Sequence, residues 1–446
     1  MTVSVPRPGG AGADGGGGSV TRRLSRRYAG VVRWGFLLVV ALLSLAIACR
    51  GGGEEVQPTP TPAADRSSAT AQPTPTPETV VETLAFLRDG DVWLVNADGS
   101  GERRLTDLGD VQWFSWISPN LLDIAAGADT LRHLLIDLSG TATESPFPAA
   151  GAFDAGFTTV RARGAWSADG SRYVIPVEQQ LVVFERSGAE VARLQAGPPI
   201  VENPDKTRGE CGLSLGGEPD RLIFGPTAFS PDGQRVLVAV NCLSASGAYQ
   251  LYSSVYEVSL DGAINRPLLG ELSTNFRLSD EFLAPRFSPD GAHVAQMAMG
   301  GLSLCPVERG LAVANADGSD ARALAPAALT ELQGDLFGGI IDFDWSPAGD
   351  AIVDSFDVSI CQVAGPLEPG FTGLYVLKLD ESGEEKLLDG AVSSVAWSPS
   401  GHFIAFVAGK YFGQTSEPPV IRLLDLTTRQ VVDLAAGAQP AWQPQP

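Results

Sequence analysis

The chain has 446 residues, with 51 glycines, 32 prolines and a net charge of −21 at pH 7. So many glycines and prolines favour a fold with frequent turns over one built from long helices. Seven arginines and one aspartate give residues 1–50 a charge of +6, which leaves −27 for residues 51–446. A domain this acidic repels phosphate backbones, which excludes nucleic acid as an expected partner.

Residues 1–49 have the organisation of an export signal. A basic stretch precedes an apolar run of fifteen residues, Trp34–Ala48. This run is short for a bilayer-spanning helix but fits the apolar region of a signal peptide. It ends in Leu45-Ala-Ile-Ala-Cys49, which resembles a bacterial lipobox, whose cysteine is lipidated and becomes the mature N-terminus. Because Ala46 stands where that motif prefers leucine, an uncleaved signal anchor and an ordinary cleaved signal are the alternatives.

Residues 50–80 contain two Pro-Thr runs and no apolar periodicity. This composition favours an extended polyproline II chain, which rises about 3.1 Å per residue. We therefore expect a signal over 1–49, a disordered linker over 50–80 and a folded domain over 81–446. The positive-inside bias predicts that the domain is extracytoplasmic and attached to the cell membrane.

A repeat begins in the folded domain with an aromatic or apolar residue, followed by Ser-Pro-Asp-Gly or a close variant and then an alternating strand. In such a turn, Pro sets φ at the second position, Asp suits the third and Gly follows, which predicts a type I turn. The serines are separated by 49 to 63 residues. The six repeat-turn serines are Ser118, Ser167, Ser230, Ser288, Ser346 and Ser398.

Many repeats contain a second turn, such as Asn96-Ala-Asp-Gly99 or Asn315-Ala-Asp-Gly318, flanked by apolar strands. Two hairpins per repeat predict a four-stranded antiparallel sheet, the blade of a β-propeller. The aromatic residue before each serine is expected to pack between neighbouring blades. The fold class is therefore all-β.

The two ends of the domain complement each other. Strands Leu84–Leu87 and Val92–Val95 lack the inner strand that should precede them, and the segment around Trp442 resembles that strand. We expect it to complete the first blade and close the ring, which removes free sheet edges. This predicts seven blades, with six or eight as alternatives because residues 186–228 are irregular.

Three segments carry a family resemblance. Phe229-Ser-Pro-Asp-Gly, Phe287-Ser-Pro-Asp-Gly and residues 91–106 resemble the WD-like repeats of TolB-type propellers, which also occur in propeller domains of prolyl-oligopeptidase relatives. The resemblance covers about residues 84–444. It implies the propeller fold and, as a type of role only, partner binding at the cell envelope.

The domain has four cysteines, Cys211, Cys242, Cys305 and Cys361. An exported domain can oxidise them, and their places in the repeat put all four at loops on one face. We expect the disulfides Cys211–Cys242 and Cys305–Cys361, with free thiols or a metal site as alternatives. Long loops held in this way would present a binding surface.

Other candidate chemistry is weak. Ser214 lies in a Gly-x-Ser-x-Gly sequence but lacks the strand before it and the helix after it that a nucleophile needs. Asp342 and Asp344 flank Phe343, and simple solvation at a strand end is preferred to a cation site in a central channel. No metal-ligand spacing appears among the three histidines. The chain is therefore predicted not to be an enzyme and to need no cofactor or metal.

The sequence thus favours a monomeric, membrane-tethered propeller that acts as a non-catalytic binding or scaffold module for an envelope protein, peptide or glycan. The alternative is a cation-dependent enzyme or a small-ligand sensor that uses an acidic central channel.

Overall fold

The computed structural model describes residues 81–127, 131–148, 150–154, 159–177, 180–197, 200–201, 211–212, 221–243, 250–269, 284–299, 309–327, 336–360, 372–380, 382–409 and 418–445. All of them belong to one compact unit, Pro77–Pro446. Cys49, the apolar run 34–48 and the linker 50–80 lie outside the described residues, so the predicted domain boundaries stay predictions. A search of the described part for a helix long and apolar enough to cross a bilayer finds none.

The elements of the described residues are 32 β-strands. The first sixteen are β1 (Thr83–Arg88), β2 (Asp91–Asn96), β3 (Arg103–Arg104), β4 (Val111–Ser118), β5 (Leu121–Ala126), β6 (Arg132–Asp137), β7 (Ala142–Glu144), β8 (Ala150–Asp154), β9 (Thr159–Arg163), β10 (Ala165–Trp166), β11 (Arg172–Val177), β12 (Gln180–Glu185), β13 (Glu190–Leu194), β14 (Ile200–Val201), β15 (Cys211–Gly212) and β16 (Arg221–Phe229). The others are β17 (Arg235–Leu243), β18 (Gln250–Ser259), β19 (Asn265–Pro267), β20 (Arg286–Phe287), β21 (His293–Met299), β22 (Arg309–Asn315), β23 (Arg322–Leu324), β24 (Leu336–Trp345), β25 (Ala351–Ile360), β26 (Gly373–Lys378), β27 (Glu384–Asp389), β28 (Val392–Trp397), β29 (Phe403–Ala408), β30 (Val420–Asp425), β31 (Val431–Ala436) and β32 (Ala438–Trp442).

These strands form a seven-bladed β-propeller, as the repeat predicted. In chain order, blades 2 to 7 are β4–β7, β10–β13, β16–β19, β20–β23, β24–β27 and β28–β31, each a four-stranded antiparallel meander. Blade 1 has the order β3-β2-β1-β32 and so combines both ends of the domain. Blades 5 and 6 are joined by one parallel bridge between Arg309 and Gly339.

The predicted ring closure is confirmed. Strand β32 pairs antiparallel with β1, with Leu84 opposite Trp442 and Ala85 opposite Ala441. The indole N–H of Trp442 also donates to the carbonyl oxygen of Ala396 in blade 7, at 3.1 Å. The last strand therefore supplies the inner strand of the first blade and connects that blade to the seventh.

Two small sheets lie between blades and were not predicted. The hairpin β8–β9 follows blade 2, and the parallel pair β14–β15 lies in the irregular stretch that precedes blade 4. Strand β9 leads into β10 through Gly164, where a Cβ atom would collide with the ring of Tyr173 and the carbonyl oxygen of Val174. Gly164 therefore permits the close approach of this inner strand to β11.

The core consists of apolar layers between successive blades rather than one central cluster. The layer between blades 7 and 1 contains Leu84, Phe86, Ile421 and Trp442, all buried. The aromatic residue of each repeat turn packs into such a layer, as expected, and Trp345 between blades 5 and 6 is an example. The inner strands of the blades therefore surround the axis of the ring.

The repeat turns share one hydrogen-bond network. In five copies the glycine N–H donates to the serine carbonyl oxygen at 2.8–2.9 Å, as in a type I turn. The serine hydroxyl accepts the N–H of the residue five positions later at 2.9–3.1 Å. Ser118 is different, because it faces Leu121 across a two-residue turn that has no Asp-Gly.

Candidate functional site

A cavity of about 930 Å³ lies at the axis of the ring, and all seven blades contribute to its wall. We call it the axial funnel. One aromatic residue from each blade lines it: Trp442, Phe114, Trp166, Phe229, Phe287, Trp345 and Trp397. Except for Phe114, each of these stands directly before the serine of its repeat turn or, for Trp442, at the equivalent position of the closing strand. The repeat therefore places aromatic residues around the funnel, of which Phe114, Trp345 and Trp442 are largely buried between blades.

The funnel opens on the side of the repeat turns. Pro231, Pro289, Pro347 and Pro399, the second residues of four turns, line its mouth. The side chains deeper in the funnel come mainly from inner-strand positions one and three residues before the aromatic, and Arg163, Asp342 and Ser394 occupy the farther position. In blades 1, 3, 4 and 7 the nearer position is alanine (Ala441, Ala165, Ala228 and Ala396), whereas in blades 5 and 6 it is Arg286 and Asp344.

Three of the charged residues that line the funnel, Arg286, Asp342 and Asp344, lie together on the wall of blades 5 and 6, whereas Arg163 comes from the side of blade 3. The Nη2 atom of Arg286 lies 3.1 Å from Oδ1 of Asp342, and Nη1 lies 4.0 Å from Oδ1 of Asp344. Arg286 also donates to the carbonyl oxygen of Phe343, and its guanidinium carbon lies 4.6 Å from the centroid of the Phe343 ring. Arg286 is thus fully engaged with blade 6.

The two aspartates also bind the inner strand of blade 7. Oδ2 of Asp342 accepts the N–H of Val395 at 3.2 Å, and Oδ2 of Asp344 accepts the N–H of Trp397 at 2.8 Å. These N–H groups lie on the axial edge of β28, which has no neighbouring strand of its own blade. The expectation of simple solvation at a strand end is therefore wrong, because the two carboxylates satisfy an open sheet edge.

Their position deep in the funnel changes their acidity. Burial raises the pKa of Asp342, and the nearby Arg286 opposes part of this effect. Burial raises the pKa of Asp344 to about 6, with the charge of Asp342 adding to the increase and Arg286 again opposing it. Asp344 nevertheless keeps 33% of its side-chain surface accessible, so its charge is available to a bound group.

One of the predicted cysteine sites, Cys242, lies away from the turn side of the funnel. Cys242 is in β17, seven residues beyond Arg235, and strands rise about 3.3 Å per residue, so roughly 23 Å separates it from the turn side. The backbone of Cys211 lies in β15, while Cys305 and Cys361 lie outside the described residues. The two disulfides stay predictions, as does lipidation of Cys49.

Two features of the described residues were missed in the sequence. Arg286 could have been found from the repeat, because it occupies in blade 5 the position that Asp344 occupies in blade 6. The second is His133, which is buried between blades 2 and 3. Its Nε2 atom contacts Asp123, and its Nδ1 atom lies 3.0 Å from the carbonyl oxygen of Phe147. No local motif marks this pair. Within the described residues no group of three or more metal-ligating side chains forms a cluster.

No protein-family model and no curated protein matches the chain. Solved structures similar to it include TolB from Acinetobacter baumannii, at 13% identity and a TM-score of 0.39, covering 82% of this chain and 67% of TolB. Oligogalacturonate lyase from Vibrio parahaemolyticus is similar at 12% identity and a TM-score of 0.48, covering 80% of this chain and 85% of the lyase. These likenesses concern the fold alone.

A puromycin-hydrolysing peptidase from Mycobacterium tuberculosis is also similar, at 16% identity and a TM-score of 0.45. The match covers 79% of this chain but only 46% of the peptidase. The prediction that the chain is not an enzyme is wrong, because structures similar to it include enzymes such as this peptidase and the lyase. Neither the fold nor the lack of a recognised motif excludes catalysis.

Proposed function

We propose that this chain is an extracytoplasmic, membrane-tethered propeller that binds a segment of a partner protein in its axial funnel. The observation that carries the proposal is the funnel itself, about 930 Å³ in volume and lined by one aromatic from every blade. Pockets that bind small ligands commonly have volumes of about 300–1,000 Å³ and mostly apolar walls with a few polar groups. The axial funnel matches this description.

The shape and lining favour a polypeptide segment as the occupant. Prolines of the repeat turns surround the mouth, and tryptophan and phenylalanine side chains line the wall. Aromatic side chains are enriched where proteins bind one another. The alanines at the inner-strand positions of blades 1, 3, 4 and 7 keep the axis open. An extended segment can therefore enter along the axis.

The location rests on the N-terminal sequence. The lipobox-like end of the apolar run would anchor the chain at Cys49, and the Pro-Thr linker would hold the funnel away from the bilayer. Replacing Cys49 with serine should prevent incorporation of a labelled fatty acid. Labelling that persists in the variant would contradict lipidation at Cys49.

Site-specific photocrosslinking in the native envelope tests the funnel. A photoreactive amino acid at Ala168, an exposed turn residue that lines the funnel, should give a discrete adduct with one partner. The matched control places the same group at Val191, which lies on the outer strand of the same blade and is 46% exposed. The proposal fails if Ala168 gives no adduct, or if both positions give the same adducts.

A further inference from the structure

We propose that the partner segment presents a cationic side chain, lysine or arginine, which binds at the wall of blades 6 and 7 between Asp344 and the ring of Trp397. This inference rests on the proposed function, because it names the chemistry of the group that enters the funnel.

The first argument is the unused capacity of Asp344. Its carboxylate accepts the N–H groups of Trp345 at 3.0 Å and Trp397 at 2.8 Å. An ionised carboxylate has about four acceptor sites, and the 4.0 Å separation from Nη1 of Arg286 is too long for a hydrogen bond. With 33% of its side chain accessible, Asp344 can accept further hydrogen bonds from a group in the cavity.

The second argument is the charge of this wall. Arg286 donates to Asp342 and to the carbonyl oxygen of Phe343, so its charge is compensated by Asp342. Asp344 also lies 4.0 Å from Arg286, so the two aspartates of this wall together carry one negative charge more than Arg286. The contacts of β28 with the aspartates are made by backbone N–H groups, and Arg163, the other cation that lines the funnel, comes from the side of blade 3. A cationic group would complete the arrangement, whereas an anionic group would be repelled.

The third argument is the aromatic surroundings. Trp397 and Trp442 both line the funnel, and the indole N–H of Trp442 binds Ala396, next to Trp397. Cations are attracted to aromatic rings, most strongly to tryptophan, and the attraction grows when water is excluded. The strongly acidic domain would also draw a basic segment toward the funnel.

The pH dependence of binding provides an independent test of the role of Asp344. A bound cation favours the charged form of Asp344, whose pKa burial raises to about 6. Binding should therefore weaken as the pH falls from 7.5 to 5, because Asp344 becomes protonated. Arg286 and Asp342 are the other charged groups that face it on this wall, and Arg163 also lines the cavity.

The test uses capped hexapeptides that differ only in a central lysine, glutamine or glutamate, with tryptophan fluorescence of the full chain as the readout. The lysine peptide should bind at least tenfold more tightly than the other two. Asp344→Asn should remove this preference while keeping the fold, because asparagine can still accept the N–H of Trp397. Asp433→Asn removes the same charge from an exposed outer strand and should leave the preference intact.

A second variant guards against misfolding of Asp344→Asn. Ser394 lines the funnel on β28, and Ser394→Lys should supply a cation from the protein itself and abolish lysine-peptide binding. The inference is overturned if the three peptides bind equally, or if Asp344→Asn keeps the preference. If the Ala168 crosslink persists in that case, the proposed function stands. If crosslink and peptide binding are both absent, both proposals fail.

Discussion

Two buried aspartates, one in blade 1 and one in blade 6, have opposite environments. Asp91 is 2% exposed and accepts four hydrogen bonds, from the hydroxyl of Thr106, the N–H groups of Leu108 and Gly109, and the guanidinium of Arg104. Asp354 is 0% exposed, and neither of its oxygens has a hydrogen-bond partner in the described part of the chain. Burial alone therefore does not decide how a carboxyl group behaves.

The difference follows from position in the strand. Asp91 begins β2, where the turn after β3 brings free N–H groups toward it. Asp354 lies in the middle of β25, between Phe343 of β24 and Tyr375 of β26, where the backbone N–H groups serve the sheet. Burial raises the pKa of Asp91, but its hydrogen bonds outweigh this and the net pKa is lowered. Burial raises the pKa of Asp354 well above its usual value, and the charge of Glu384 adds to the increase.

The largest expected effect comes from removing the satisfied carboxylate. Asp91→Ala leaves two N–H groups and a hydroxyl without their acceptor, which should lower the free energy of unfolding by about 4 kcal/mol. Urea unfolding followed by tryptophan fluorescence measures this. Asp107→Ala is the matched control, since Asp107 is 89% exposed and also pairs with Arg104. Equal losses in both variants would show that only the ion pair with Arg104 matters.

Glu257 is a third buried acid, whose carboxylate binds two arginine side chains instead of backbone N–H groups. Its oxygens lie 2.8 Å from Arg235 and 2.7 Å from Arg266, and the side chain is 0% exposed. Glu257→Gln leaves two arginines facing a neutral group, which should cost about 3 kcal/mol in the free energy of unfolding. The effect should be smaller than for Asp91→Ala, because water reaches both arginines. Glu385 is 53% exposed and pairs with Arg429, so Glu385→Gln is the control. A loss in Glu257→Gln no larger than in this control would contradict the prediction.

Replacing the unsatisfied acid should have the opposite sign. Asp354 shares its face of β25 with Ile352 and Phe356, which pack against blade 5. Asp354→Leu should therefore raise the free energy of unfolding by about 2 kcal/mol at pH 7, since it removes a buried polar group without a partner. Asp380→Leu, at an exposed turn, should have little effect. A destabilised Asp354→Leu variant would mean that Asp354 is needed where it lies.

How far the sequence predicts this molecule depends on how local each feature is. The blades were predictable because each repeat turn has its own Ser-Pro-Asp-Gly sequence or a close variant of it. The ring closure was predictable because the segment around Trp442 resembles the strand that ends in Trp397. The hairpin β8–β9 was not, since it lacks the turn signals of the repeat. Asp342 and Asp344 were noticed as neighbours, but their partner Arg286 lies one repeat earlier and is recognised only when inner strands are aligned blade by blade. The aromatic layers between blades follow from the repeat, but the contacts of Arg286 with the two aspartates cross from blade 5 to blade 6 and leave no local pattern.

The smallest expected effect is a difference in the pH dependence of stability. The folded chain keeps the proton of Asp354 above pH 4, where the unfolded chain has lost it, so this group makes stability fall as the pH rises toward its raised pKa. Asp91 acts in reverse: its contribution is present above about pH 4 and is lost as the pH falls through its lowered pKa.

Comparing the wild-type chain with Asp354→Asn isolates the first of these contributions. Between pH 5 and pH 6 the wild type should lose stability relative to the variant, by at most about 1.4 kcal/mol per pH unit for one proton. Urea unfolding at both pH values measures the difference. Because Asp91 is unchanged in the variant, its contribution cancels. Parallel pH profiles would show that the folded chain ionises Asp354 as readily as the unfolded one, and the contrast between the two aspartates would then rest on hydrogen bonding alone.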